Sequence, residues 1–249
     1  MDEREKRVAP LRLKGQLGKG RRGATEPAPK TRKIGRARRL RKDAPAEVRD
    51  EIFKQGGRRS QRLLDAVAEA ATAFAEGRER DALRILRPVR DEIPNAASVR
   101  ELYGLALYRA GRFAQAAKEL EAFVDLTGSV EQHPVLMDCA RAERKPNRVT
   151  ELWEELGSVS PSSALMTEGR IVLAGTMADR GDVRGAIELL EKKVQDWKRP
   201  QEHHARLWYA LGDLYERVGS LAEARRYFMK VRKFDASYAD VAERLAGLR

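Results

Sequence analysis

ARLWYALGDLYERVGSLAEARRYFMKVRKFDASY, running from Ala205 to Tyr238, decides how the rest of the chain is read. Trp208, Leu211, Gly212 and Tyr215 recur at three- and four-residue steps, which puts their side chains on one face of a helix. Gly219 breaks that helix, and Ala224, Phe228 and Val231 restart the spacing in a second one. Two amphipathic helices joined by a short turn fold back on each other, yet neither buries its apolar stripe alone. Such a unit needs copies of itself as neighbours.

The copies lie upstream. With Ala205 as position 1, Gly219 stands at position 15, and the matching turn residues are Gly77, Gly111, Arg144 and Gly181, at intervals of 34, 33, 37 and 38 residues. Position 20 moves in step through Ala82, Ala116, Val149, Ala186 and Ala224. Ala97 to Thr127 is the second clear copy, with Tyr103, Gly104, Leu107, Leu120 and Phe123 in place. The third copy is degenerate: Met137 replaces the small residue at position 8, Arg144 the turn glycine and Val149 the alanine at position 20. The fourth keeps Ala174, Ala186 and Leu190; its second helix is expected to continue to Trp197, with His203 and His204 following in an exposed inter-repeat turn.

Trp208, Leu211, Gly212, Tyr215, Ala224 and Phe228, at positions 4, 7, 8, 11, 20 and 24, closely resemble the tetratricopeptide repeat (TPR). Small residues at 8 and 20 let the paired helices approach, and the large ones fill the space around that contact. The family's proline at position 32 is Ala236 here. The resemblance implies an all-α fold, a right-handed helical solenoid of about five TPR-like helix-turn-helix repeats. A C-terminal capping helix around Tyr238, Val241 and Leu245 would close it.

The resemblance also implies a function: a non-enzymatic scaffold or adaptor that mediates protein–protein interaction through its concave surface, with an unidentified protein or peptide as partner. In the family, binding residues occupy positions 2, 5, 9, 12 and 13 of each first helix. In the second repeat these are Ser98, Glu101, Leu105, Tyr108 and Arg109, and in the fifth Arg206, Tyr209, Asp213, Glu216 and Arg217. The Lys, Asn and Arg clamp that some members use on acidic chaperone C-termini is not carried over, since Val67 and Ala71 stand at positions 5 and 9 of the first repeat. That repeat's inner face is wholly apolar: Leu64, Val67, Ala71, Phe74 and Ala75. Left wet it would invite association. A helix over Pro45–Lys54, reversed by Gly56-Gly57, is expected to fold back as a cap and cover it with Ile52 and Phe53, with a partner helix or a second copy of the chain as the alternative cover.

Charge divides the chain differently. The net charge is +12, and residues 1–42 carry all of it, with 16 Lys+Arg against 4 Asp+Glu. Rich in Gly, Pro, Lys and Arg and poor in apolar anchors, this stretch is expected to be a disordered basic tail. Residues 43–60 then form a short helix and linker, and 61–249 the repeat domain. Lys19, Arg21, Arg22, Arg32, Lys33, Arg36, Arg38, Arg39, Arg41 and Lys42 are candidates for phosphate contacts, each of which would release counterions. They support an alternative reading, an adaptor tethered to RNA, DNA or the ribosome. The tail lacks aromatic residues for base stacking, so that contact would be sequence-tolerant.

No catalytic constellation, metal set or cofactor motif emerges. The glycines and lysine of Gly15–Lys19 lack P-loop spacing, and His203 and His204, being adjacent, point to different sides of a helix. Cys139 is the sole cysteine, so no intrachain disulfide forms, and it reads as a buried small residue. No 18-residue apolar run and no apolar leader core occur, so no membrane association is expected and the reading is a soluble, cytoplasmic protein.

Overall fold

The computed structural model describes residues 45–159, 161–195 and 197–248. The tail at 1–42, with its expected disorder and candidate phosphate contacts, lies outside them. The described residues divide into two compact units, 45–193 and 194–248, and contain helices and turns but no strand. The first unit carries α1 (Ala46–Gly56), α2 (Ser60–Ala75), α3 (Glu79–Glu92), α4 (Ala97–Arg109) and α5 (Phe113–Thr127). It continues with α6 (His133–Ala142), α7 (Pro146–Ser158), α8 (Ser163–Asp179) and α9 (Val183–Glu191). The second carries α10 (Glu202–Arg217), α11 (Leu221–Phe234) and α12 (Val241–Gly247).

The repeat register is written in the turns. Gly77, Gly111, Arg144, Gly181 and Gly219 all adopt positive φ, at 71°, 72°, 58°, 96° and 76°. At each turn the next residue donates its N–H to the carbonyl five positions earlier: Arg78 to Ala73, Arg112 to Leu107, Lys145 to Ala140, Asp182 to Met177 and Ser220 to Tyr215. This is the Schellman closure of a helix, which needs a left-handed residue and therefore favours glycine. Arg144 takes the same conformation without being glycine, so the degenerate third repeat obeys the geometry its sequence disguises.

Within each hairpin the small residues do what their spacing predicts. The residues at position 20, Ala82, Ala116, Val149, Ala186 and Ala224, are all completely buried. A Cβ added at Gly104 would stand 2.8 Å from Leu120, and one at Gly212 would stand 2.7 Å from the Phe228 ring. In the third repeat Met137 and Val149 replace the small pair and are also fully buried; an unbranched thioether fills an irregular gap better than a stiff side chain would. In the first unit each helix packs on the next in chain order, and α6 also packs on α8. One apolar cluster extends from Ile52 to Leu152.

The N-terminal helix corrects one expectation. α1 packs on α2, and Ile52 is completely buried, but Phe53 is 52% exposed. The two are adjacent, hence about 100° apart around a helix, and only one can face the core. The apolar gain is about 1.5–3 kcal/mol for Ile52, an upper bound, rather than the sum for both. A carboxylate adds a second tie: Glu51 accepts hydrogen bonds from the Ala97 and Ser98 N–H groups and from the Ser98 hydroxyl. Those amides open α4 with no cap from their own segment, so Glu51 supplies the helix cap from 46 residues away.

Two more expectations change. α9 ends at Glu191 and does not reach Trp197; Trp197 instead stacks on the His204 ring at 4.0 Å and tilts against Trp208 at 5.6 Å. His203 and His204 are not in an exposed turn either. They form the first turn of α10, where His203 is buried and His204 Nδ1 accepts the Gln201 N–H at 2.9 Å. Burial pushes the His203 imidazole below its ordinary pKa.

Candidate inner-face recognition track

The first helices of the second, third and fourth repeats carry polar side chains at positions expected to face inward, and some of those side chains connect one repeat to the next. Tyr108 of α4 donates its hydroxyl to Asp138 of α6 at 2.6 Å. Arg141, one turn further along α6, lies 3.6 Å from Asp138 and donates its Nε to Asp179 of α8 at 2.7 Å. Four residues from three consecutive repeats thus form one track. Gly175 permits it, since a Cβ there would stand 2.6 Å from the Arg141 guanidinium. Arg141 lies close over α8 at Gly175.

Burial and charge act on the track together. The Arg141 side chain is only 21% exposed; burial alone would lower its pKa, but the hydrogen bond to Asp179 and the fields of Asp179 and Asp138 raise it on balance. Tyr108 is pushed well above the ordinary phenol range by burial and by the neighbouring Asp138. Both keep their neutral-pH protonation states, a phenol that donates and a guanidinium that stays charged. Asp179 is the more open end, with its side chain 46% exposed. An oriented guanidinium beside a half-exposed carboxylate offers donors and an acceptor to an extended peptide backbone or polar side chain.

The other second-repeat candidates are engaged locally. Glu101 accepts from the Gln132 amide at 2.7 Å, and its carboxyl is raised in pKa by burial, with Gln132 opposing. Leu105 is buried in the apolar cluster. Arg109 donates to the Phe74 carbonyl at 2.9 Å and lies over the Phe74 ring at 3.9 Å. It therefore covers part of the apolar face of the first repeat. Ala71 and Ala75 of that face are exposed, while Leu64, Val67 and Phe74 are buried.

In the second unit the fifth-repeat candidates meet the chain's own C-terminal segment. Arg244 of α12 bonds Asp213 and lies 3.1 Å from Glu216, with its guanidinium over the Phe228 ring at 5.2 Å. Tyr209 donates to Asp240 and packs near the Tyr238 ring. Arg206 lies 3.6 Å from Glu202, and Arg217 is exposed at the helix end. Val241 and Leu245 are buried beside this polar set, so α12 covers part of the surface these candidates share.

Asp138, Arg141, Gly175 and Asp179 were not among the residues picked out from sequence. The signal for them existed: they occupy positions 9, 12, 9 and 13 of the third and fourth repeats, the register already applied to the clearer copies. Among the described residues no group of three His, Cys, Asp or Glu side chains is placed to hold a metal.

A tetratricopeptide repeat family model matches residues 59–130 and 178–239, more than half of the chain. Among solved structures the chain is similar to a thermophilic TPR protein of Thermus thermophilus at 18% identity, covering 75% of this chain and 98% of that one with a TM-score of 0.59. It is also similar to a chain of the Cut9–Hcn1 assembly of APC/C, at 13% identity and TM-score 0.60, covering 86% of this chain and 40% of that one. The apo form of the quorum sensor NprR from B. thuringiensis gives 13% identity and a TM-score of 0.56, covering 85% and 64%. Identities this low demonstrate a shared fold and nothing finer. No curated protein matches the sequence.

Proposed function

Because the chain belongs to the tetratricopeptide repeat family, we propose that it is a non-enzymatic scaffold working in the cytoplasm, whose first unit holds a protein or peptide partner along the inner-face track. The observation that carries this reading is the run Tyr108–Asp138–Arg141–Asp179. It crosses three repeats, ends on a half-exposed carboxylate, and keeps a charged guanidinium in fixed orientation. Preorganised polar groups of this kind bind a partner at lower entropic cost than free side chains. No helix among the described residues is long and apolar enough to cross a membrane.

A second reading rests on the tail. Residues 1–42 hold the entire net charge of +12, which suits an adaptor tethered to RNA, DNA or the ribosome while the repeats recruit a protein. Affinity capture with and without nuclease separates the two. A partner protein that survives nuclease and is lost from an Arg141→Ala variant supports the scaffold reading. A partner that vanishes with nuclease and is insensitive to Arg141→Ala contradicts it and favours the tail.

A further inference from the structure

Helix α11 carries Arg225, Arg226, Lys230, Arg232 and Lys233 against a single acid, Glu223. Several arginines elsewhere stand beside carboxylates, as Arg78 does with Glu76 and Asp81, Arg100 with Glu119, and Arg148 with Glu151. On α11 they do not. Arg225 reaches only the Leu248 carbonyl at 3.4 Å, Arg226 the Tyr227 hydroxyl at 3.4 Å, and Lys230 the Trp208 and Tyr227 rings. Arg232 and Lys233 are exposed. None of the five is paired with a carboxylate among the described residues.

Helical geometry arranges these cations in two rows on the outward side. Arg225 and Arg232 are seven residues apart, about 10 Å along the axis, and Arg226, Lys230 and Lys233 follow at steps of about 4–6 Å. Between the rows lies Met229, 39% exposed, with Leu221 at 51% near the start of the helix. A membrane would need a contiguous apolar stripe, and the stripe α11 possesses, Ala224, Tyr227, Phe228 and Val231, is buried in the fold. On the outward face cations flank Met229 on both sides, which separates it from Leu221 and Phe234. That face suits a flexible polyanion whose charges recur along its length.

We propose that the outward face of α11 is a nucleic-acid-binding surface that grips the phosphodiester backbone, in addition to any contact made by the tail. The proposal extends the tail reading and is independent of the inner-face track. The ligand chemistry is a repeating phosphodiester, supplied by RNA or DNA; Phe234, 36% exposed at the end of the helix, is the one aromatic side chain exposed beside the cations, too little for a run of bases to stack on.

The test measures binding of the full chain to a labelled 20-nucleotide oligouridine and to a 20-base-pair DNA duplex across 50–200 mM salt. One variant carries Arg226→Gln, Arg232→Gln and Lys233→Gln; a second carries Gln at the basic residues of 30–42; a third carries Arg226→Lys and Arg232→Lys. Losing three phosphate contacts lowers the log–log salt slope by about 2 on a single strand, so across this range the wild type loses about 20-fold more affinity than the helix variant. The charge-keeping third variant should retain the wild-type slope. An unchanged slope in the helix variant overturns the proposal, as does binding to vesicles containing 30% phosphatidylserine with none to either nucleic acid. Loss confined to the tail variant also overturns it, while leaving the tail reading intact. A preference for the oligouridine or for the duplex identifies the source of the backbone. Thermal melts of all three variants, expected within about 4 °C of wild type for exposed substitutions, exclude misfolding as the cause.

Discussion

Glu51 joins the N-terminal helix to the second repeat, and its removal should have a measurable cost. In Glu51→Ala the Ala97 and Ser98 amides and the Ser98 hydroxyl lose their acceptor. Deleting an N-cap costs about 0.5–2 kcal/mol, and the charge at a helix N-terminus contributes about 0.3–1 kcal/mol more. The site is half-buried, so water replaces part of what is lost, and about 1–2 kcal/mol is expected overall. For a unit near 150 residues this corresponds to a Tm lower by about 2–8 °C. Glu51→Gln keeps an acceptor oxygen and should fall between the wild type and the alanine variant. Thermal melts followed by circular dichroism give the stability, and amide hydrogen exchange localises it. Ala97 and Ser98 should lose protection in Glu51→Ala while the α8 amides keep theirs. Unchanged Tm together with unchanged protection at both amides would refute the long-range cap.

Three further outcomes follow from the packing. Gly212→Ala should destabilise by about 1–3 kcal/mol, because its Cβ would stand within 3 Å of the completely buried Phe228 ring. Gly157→Ala, in helix α7 with open space around it, should instead stabilise by about 0.5–1 kcal/mol; melting curves that move the pair in the same direction would contradict the register. Arg144→Gly should raise stability by about 1 kcal/mol by relieving a left-handed arginine at φ 58°, with a fall in Tm as the opposing result. The buried Cys139 thiol is pushed up to about 12, chiefly by burial. At pH 8 a thiol reagent should therefore leave it intact in the folded protein and label it as the protein unfolds in urea; rapid labelling without denaturant would show that the third repeat opens.

The fold was legible because a hairpin repeat needs the same residue types at the same offsets. Gly77, Gly111, Gly181 and Gly219 marked the left-handed turns, and even Arg144 could be placed from its neighbours' spacing. Ile52 and Phe53 were harder. Both are large and apolar, and only the direction in which α1 meets α2 decides which is buried. Trp197 looked like a continuation of α9 because periodicity does not reveal that its ring is taken by His204 and Trp208. Glu51 was invisible for another reason: nothing in a local window tells a solvent-facing glutamate from one that caps a helix 46 residues on. Among the candidate site residues, Tyr108 takes part in the track, while Tyr209, Asp213 and Glu216 meet α12. The sequence named positions expected to face inward, and which segment would occupy each of them depends on where the chain's own next helix lies.

A photo-crosslinking amino acid placed at Ala142, exposed and next to Arg141 at an inner-face position, tests the scaffold reading most directly, with Glu154 on the exposed side of α7 as the control site. In nuclease-treated extract the reading predicts a discrete protein adduct from position 142, lost when Arg141→Ala is added, and none from position 154. Adducts of equal yield from both sites, or an adduct at 142 that persists without the Arg141 guanidinium, would contradict it.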